Sequence, residues 1–233
     1  MTSQAFDSDP VALLKVLLAT IEDKIIPLTS NSVSSGNKLF GAAILSKSGL
    51  VPQTVSTNNE VASPLLHGEI NCIQQFFAQT SFPDPSGEGG PPSSRRPNPR
   101  DCVFLATHEP CSLCLSGITW SGFDNFFYLF TYEDSRDLFS IPHDIDILQE
   151  VFRVPAVAKG EDLDARPLYN RRNRFFTARS FADLVREISD ERGWVEGRKW
   201  ADEVSRVKAL YNGLSDTYQN RKAGGLESAS FLR

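Results

Sequence analysis

The chain has 233 residues, of which 40% are hydrophobic and 23% charged, with a formal net charge of -5. This profile is typical of a soluble globular protein. The opening segment lacks the basic stretch of a signal peptide, and the apolar run at residues 11–21 is interrupted by Lys15 and too short to cross a bilayer. These features argue against a secreted or membrane-spanning chain, and we expect a cytosolic or nuclear protein, with the cytoplasm as the favoured location.

The first part of the chain alternates helical and strand patterns. Apolar residues recur at helical spacing or alternate within short β-rich runs, with a Ser48-Gly49 turn between two of these runs. The predicted elements are a helix, two strands and a second helix, at residues 10–26, 39–45, 51–56 and from His67 to about residue 77.

Residues 83–100 interrupt this order. They include six prolines, three glycines and no large apolar residue, so they cannot form a packed helix or a central strand. We expect a disordered surface insertion that is dispensable for folding.

Order resumes after the insertion. The remaining predicted elements of this part are a buried strand, a helix, a second strand and a short helix, at residues 102–106, 111–120, 126–130 and 145–151. Alternation of strands and helices indicates an α/β sandwich around one sheet. We expect this core domain to occupy residues 1–156.

Residues 157–233 carry helical signals and are expected to form a C-terminal helical extension. Ser180 can cap a helix there. Apolar residues from Trp200 to Tyr218 are spaced alternately four and three residues apart. This pattern predicts either a helix packed on its own core or a dimer contact.

Two short motifs carry the candidate chemistry, LHGEI at residues 66–70 and EPCSLC at residues 109–114. Cys111 and Cys114 lie on one helix face, and in a first turn the positive helix end stabilises their thiolates. His67 adds a nitrogen ligand suited to zinc. His67 and Glu69 would be roughly 200° apart inside a regular helix. His67 must therefore lie at the helix entrance if the two side chains are to converge.

Three protein ligands leave one zinc position for water, which then ionises with a pKa of about 7. A carboxylate that is not a ligand can carry the water's proton to a substrate ring and its leaving amine, and Glu69 is predicted for this role. A purely structural zinc would need a fourth protein ligand. Cys72 lies roughly 140° around the helix from His67 and Cys102 lies in a strand, so both are predicted core residues.

The two motifs together form the pattern H-x-E…P-C-x-x-C, by which the chain resembles the zinc-dependent cytidine deaminase-like superfamily. The letters HGEI resemble fungal cytosine deaminases, and EPCSLCLSGITWSG resembles guanine deaminases, in a branch that also holds tRNA adenosine deaminases. The resemblance covers roughly residues 10–152. It implies a three-layer α/β/α sandwich with a mixed central sheet and a zinc-dependent hydrolytic deaminase.

The resemblance also implies substrate contacts. Asn58 or Asn59 corresponds to the family asparagine that hydrogen-bonds the substrate ring, although both lie closer to the zinc histidine than is usual in the family. Turn capping is the alternative role for either asparagine. Gly68 is expected to offer its backbone N–H, and Asp144 corresponds to a substrate-reading aspartate of guanine deaminases. Trp120 either lines the pocket or belongs to the core.

Three functions remain open at this point. The first is removal of an exocyclic ring amine from a small nucleobase or nucleoside-like molecule, by a homo-oligomer such as the dimers or tetramers of its relatives. The second is a nucleic-acid deaminase, favoured by arginines interleaved with aromatic residues between 166 and 179. Residues 1–156 hold nine basic and 17 acidic residues, which disfavours a nucleic-acid partner. The third is a non-catalytic zinc-stabilised scaffold, against which retention of Glu69 argues.

Overall fold

A mixed five-stranded sheet forms the centre of the protein. The computed structural model of the chain describes residues 6–153, 162 and 166–223. The strands are β1 Gly41–Ser46, β2 Pro52–Thr57, β3 Cys102–His108, β4 Asn125–Phe130 and β5 Thr177–Ser180. Their order across the sheet is β2-β1-β3-β4-β5. β1 is antiparallel to both of its neighbours, whereas β3, β4 and β5 are parallel.

Helices cover both faces of the sheet. Those before β4 are α1 Pro10–Thr20, α2 Ile26–Ser34, α3 Gly68–Ala78 and α4 Ser112–Ser121, with a π-helical turn, Ile21–Ile25, joining α1 to α2. Those after β4 are α5 Tyr132–Phe139, α6 His143–Ile147, α7 Phe181–Arg192, α8 Trp194–Ala209 and α9 Asn212–Ala223. Within the described residues, no helix combines the length and apolar character needed to cross a membrane.

Alternating strand residues divide the core into two layers. On β1, Ala43 and Leu45 face a cluster that contains α1, α7 and α8, whereas Ala42 and Ile44 face a cluster that contains α3 and α4. Side chains of a strand point alternately to the two faces of its sheet, so strands buried on both faces read as continuous apolar runs. The predicted three-layer α/β/α sandwich with a mixed sheet is confirmed.

The C-terminal region is part of this architecture. β5 adds a fifth strand to the sheet, and α7 and α8 share one core cluster with α1. The regularly spaced apolar residues between 200 and 218 pack on this core, because Trp200, Val207 and Tyr211 are all buried. The helix breaks at Leu210 and restarts as α9. The boundary we expected between residues 156 and 157 lies outside the described residues.

The proline-rich segment 83–100 differs from our expectation of a disordered loop. The hydroxyls of Ser46 and Ser48 both donate to the carbonyl of Pro85, at 2.6 and 2.7 Å. Phe82 is buried and pairs with Ser93 through two backbone hydrogen bonds. The segment therefore folds back along the β1–β2 turn, held by backbone and hydroxyl groups that a hydropathy pattern does not register.

Candidate metal centre and active site

Two helix N-termini meet beside the sheet. His67 is the residue before the first turn of α3 and has extended backbone angles, φ -60° and ψ 157°. Cys111 occupies the equivalent position before α4, with φ -63° and ψ 172°, and Cys114 lies in the first turn. Extended backbone at a helix entrance lets a side chain turn inward over the helix end. His67 thus lies where the sequence required it for convergence with Glu69.

The three candidate ligands converge. His67 Nδ1 lies 3.5 Å from Cys111 Sγ and 3.7 Å from Cys114 Sγ. The ligand atoms of these three residues all lie within 4.8 Å of one another. Two thiols and one imidazole suit zinc, and three protein donors are the number that a catalytic zinc site uses. The donor set fits a zinc ion.

Electrostatics prepare this donor set for a cation. A hydrogen bond from the Cys114 thiol lowers the pKa of Cys111 well below its ordinary value. Burial raises the pKa of Cys114. Burial alone would lower the pKa of His67, but hydrogen bonding and attraction to Cys111 raise it to about 9. The site therefore offers an anionic sulfur at the positive end of a helix.

Glu69 lies in the first turn of α3 and is only 4% exposed. Its carboxylate is not one of the three mutually close ligand groups. Burial raises the pKa of Glu69 to about 7, and the nearby Cys111 thiolate acts in the same direction. A carboxyl group with a pKa near neutrality can both accept and return a proton at physiological pH.

The two asparagines have different environments. Asn58 is buried, and its Oδ1 accepts the backbone N–H of Gly68 at 2.6 Å. The Asn58 Nδ2 is also buried and makes no hydrogen bond within the described part of the chain. Asn59 is exposed. The geometry favours Asn58 as the asparagine that faces the site.

Gly68 has a packing role in place of the expected free N–H. Its N–H is taken up by Asn58, so it is not available to a substrate in this arrangement. A Cβ at this position would lie 3.0 Å from both Gly41 Cα and the Phe40 carbonyl oxygen. Close approach of α3 to β1 therefore requires glycine.

The remaining two predicted substrate contacts, Asp144 and Trp120, have different environments. Asp144 lies on α6 and is half-buried. Burial raises its pKa to about 7, and the negative charge of Cys111 acts in the same direction to a smaller extent. His67 and Lys38 also act on this carboxyl group, so it lies within electrostatic reach of the ligands. Trp120 is 92% exposed near the C-terminal end of α4. The core alternative for Trp120 was therefore wrong, and pocket lining stays a prediction.

The contacts that hold the loop before Cys111 carry no local sequence signal. The Glu109 carboxylate is buried and accepts from Tyr169 Oη at 2.8 Å and from the Tyr132 backbone N–H at 3.2 Å. It lies one residue before Pro110, so these bonds fix the loop that leads to Cys111. The partners are distant in sequence, and only the folded sheet brings them together.

Comparison with known proteins agrees with this site. Residues 22–130 match the family described as the cytidine and deoxycytidylate deaminase zinc-binding region. No curated protein matches the chain.

Three solved structures illustrate the range of similarity. Guanine deaminase from Nitrosomonas europaea is 16% identical, with a TM-score of 0.41 over 78% of this chain and 82% of that one. Guanine deaminase from Bacillus subtilis is 20% identical, with a TM-score of 0.40 over 61% and 80%. A deaminase of A-to-I editing at the wobble position of transfer RNA is 17% identical, with a TM-score of 0.31 over 47% and 77%.

The family match covers both motifs that supply the converging donors, and it covers Glu69 as well. This match supports a zinc hydrolase acting on C–N bonds, with a zinc-binding region of the cytidine and deoxycytidylate deaminase type at residues 22–130.

Proposed function

We propose that this protein deaminates a small nucleobase or nucleoside-like molecule in the cytoplasm. Water replaces an exocyclic ring amine, which leaves as ammonia. His67, Cys111 and Cys114 are the proposed zinc ligands, and Glu69 is the proposed proton carrier. The observation that carries this proposal is a three-donor metal site beside a buried carboxylate that is not part of it.

The roles of the residues follow from their chemistry. Zinc held by these ligands activates water as a nucleophile at neutral pH. Glu69 accepts the proton that water gives up and passes it to a ring nitrogen, which makes the adjacent carbon more electrophilic. The proton that remains on the added oxygen then passes through Glu69 to the amine. The amine leaves as ammonia, and the carbon keeps the oxygen. The raised pKa of Glu69 suits both directions of transfer.

Two groups are proposed to recognise the ring. Asn58 Nδ2 is a buried donor without a partner in the described chain, and an orphaned buried donor is costly unless a ligand uses it. Asp144 brings a half-buried hydrogen-bond acceptor near the proposed zinc ligands His67 and Cys111. A ring that presents both an acceptor and N–H donors satisfies both residues, as the edges of nucleobases do.

The nucleic-acid alternative finds less support in the same region. Tyr169 and Phe176 pack against the core cluster beneath α3 and α4, so they are not available to stack on bases. Arg171 forms an ion pair with Glu109, and Arg179 with Glu187. The inward packing of Tyr169 and Phe176 and the pairing of both arginines do not match a polyanion-binding surface, although Phe175 is half-exposed.

The non-catalytic alternative is disfavoured by Glu69. Burying a carboxylate costs free energy, and a structural zinc site does not require a buried carboxylate that is not a ligand. Glu69 lies in the first turn of α3, where the helix dipole and nearby His67 partly offset that cost. Such placement supports a proton-transfer role.

Activity measurements test the proposal. Purified protein should hold about one zinc per chain and release ammonia from some member of a panel of amino-purines, amino-pyrimidines and their nucleosides. Glu69→Gln should keep the zinc and lose turnover by roughly two to four orders of magnitude. The matched control is Gln74→Glu on the exposed part of α3, which should change neither property. Zinc loss in Glu69→Gln would show that Glu69 is a ligand. Turnover confined to a polynucleotide would favour the second function.

We also propose that the protein is a homodimer that uses the outer faces of α3 and α4. Phe77, Leu113 and Trp120 are exposed there, and the segment 112–121 contains no charged residue. Exposed apolar surface without charge is typical of a protein contact. Trp120→Glu should convert a dimer to a monomer in sedimentation velocity, and Trp194→Glu, at an exposed tryptophan on α8, should not. A wild-type monomer at micromolar concentration would contradict this proposal.

A further inference from the structure

A buried ion pair lies beside the candidate metal centre and takes no part in the proposed proton transfer. Lys38 Nζ lies 3.2 Å from Glu60 Oε1, and the two side chains are 7% and 0% exposed. Glu60 Oε2 also accepts the backbone N–H of Lys38 at 3.1 Å. Removing both charges from water costs more than an isolated pair commonly returns. Stability alone therefore does not account for a charged pair at this position.

The orientation of the His67 ring relates this ion pair to the candidate metal centre. Nδ1 faces the two thiols, so it is the nitrogen placed to bind the metal. Nε2 then carries the proton of the neutral ring. It points towards Glu60, whose Oε1 lies 4.0 Å away and makes no hydrogen bond within the described chain. That distance is about 1 Å beyond hydrogen-bond range, a gap that a small ring rotation closes.

We infer that Glu60 is a positioning residue for the proposed zinc ligand His67: its Oε1 accepts the Nε2–H proton and fixes the ring with Nδ1 towards the metal. This inference depends on the proposed function, because it assigns Glu60 a role only if His67 binds zinc. A carboxylate behind a ligand histidine selects the tautomer and makes the ring a stronger donor. Glu60 itself is not one of the three mutually close donors.

The two oxygens of Glu60 have separate tasks. Oε2 accepts the Lys38 backbone N–H, whereas Oε1 is the oxygen that faces His67 Nε2 and also pairs with Lys38 Nζ at 3.2 Å. The Lys38 ammonium offsets the charge of the Glu60 carboxylate in a buried position. A glutamine at this position has one acceptor oxygen, so it can serve the Lys38 N–H or the His67 N–H, but not both.

The test compares zinc affinity among variants by competition with a chelator of known affinity. Glu60→Gln should weaken zinc binding roughly 10- to 100-fold, the usual effect of losing such a partner. It should also shift the visible absorption bands of the Co²⁺-substituted protein, because the ring orientation changes. A Lys38→Met/Glu60→Gln double variant removes both charges, so neither remains buried alone. Its zinc affinity should stay as weak as that of Glu60→Gln.

A matched control disturbs the same loop without touching His67. Asn37 Oδ1 accepts the Val61 backbone N–H at 2.9 Å. Asn37 Nδ2 also donates to the Ser32 carbonyl at 3.3 Å. Asn37→Ala should therefore lower the melting temperature while zinc affinity stays within about twofold, since the two hydrogen bonds that are lost do not involve His67.

The outcomes separate the inference from the proposed function. Wild-type protein that binds zinc, with Glu60→Gln of equal affinity and an unchanged Co²⁺ spectrum, overturns the inference alone. A double variant that regains wild-type affinity also overturns it, because the effect would then come from the unpaired lysine. Wild-type protein that binds no zinc overturns the proposed function and this inference with it.

Discussion

Phe181→Ala tests whether the C-terminal helices and the metal-binding part unfold as one unit. Phe181 opens α7, is fully buried and belongs to the core cluster that also contains α1. Removing a buried phenylalanine costs roughly 3–5 kcal/mol, from lost transfer free energy and the cavity left behind. At roughly 2–4 °C per kcal/mol for a chain of this size, the melting temperature should fall by roughly 6–20 °C.

Two probes report on the two parts of the chain during heating. Tryptophan fluorescence changes mainly at Trp200, which is buried on α8, because Trp120 and Trp194 are already exposed. A zinc-sensitive dye follows release of metal from the proposed His67 and cysteine site. For a single cooperative unit, both midpoints should shift together in Phe181→Ala. Phe175→Ala is the matched control, because Phe175 is half-exposed in the same region and should shift neither midpoint by more than a degree or two. A fluorescence midpoint that falls while the zinc-release midpoint stays would refute the reasoning and support a separate extension.

Three further changes have expected outcomes. Asn58→Ala should impair turnover strongly, because Asn58 holds the Gly68 N–H and offers a donor that has no partner among the described residues. Asn59→Ala should leave steady-state kinetics near wild type. Gly49→Ala should lower the melting temperature, because its Cβ would lie 2.2 Å from the Ser86 carbonyl oxygen. Replacing residues 83–100 by a short Gly-Ser linker should also lower it, contrary to what the sequence alone suggests, since the Pro85 contacts and the Phe82 pairing would be lost.

The features predicted from sequence are those set by short-range spacing. Ligands three residues apart, Cys111 and Cys114, lie on one helix face whatever surrounds them. The requirement that His67 lie at a helix entrance followed from helical geometry alone, and the structure has it there. The continuous apolar run at residues 102–106 predicted a buried strand, and each residue of β3 is buried.

The features that were missed depend on neighbours distant in the chain. β5 has four residues, TARS, whose letters carry no apolar run, and it becomes a strand because β4 offers a free edge for parallel pairing. α5 has a polar composition and begins at a Thr131 capping box, a local signal that apolar periodicity does not detect. The core alternative for Trp120 was wrong for a related reason, because helical spacing does not show which helix residues the neighbouring elements cover.

The position of Glu109 shows why the metal loop cannot be separated from the rest of the chain. This buried carboxylate accepts from Tyr132, which follows β4, and from Tyr169, which lies just before β5. Tyr132 Oη in turn donates to the Pro110 carbonyl at 2.5 Å. Burial raises the pKa of Glu109, while the hydrogen bond from Tyr169 opposes that shift. Glu109, two residues before Cys111, is thus held by hydrogen bonds from two separate parts of the chain. A change that loosens the C-terminal region should reach the proposed ligand Cys111 through this carboxylate, even though no C-terminal residue belongs to the ligand set.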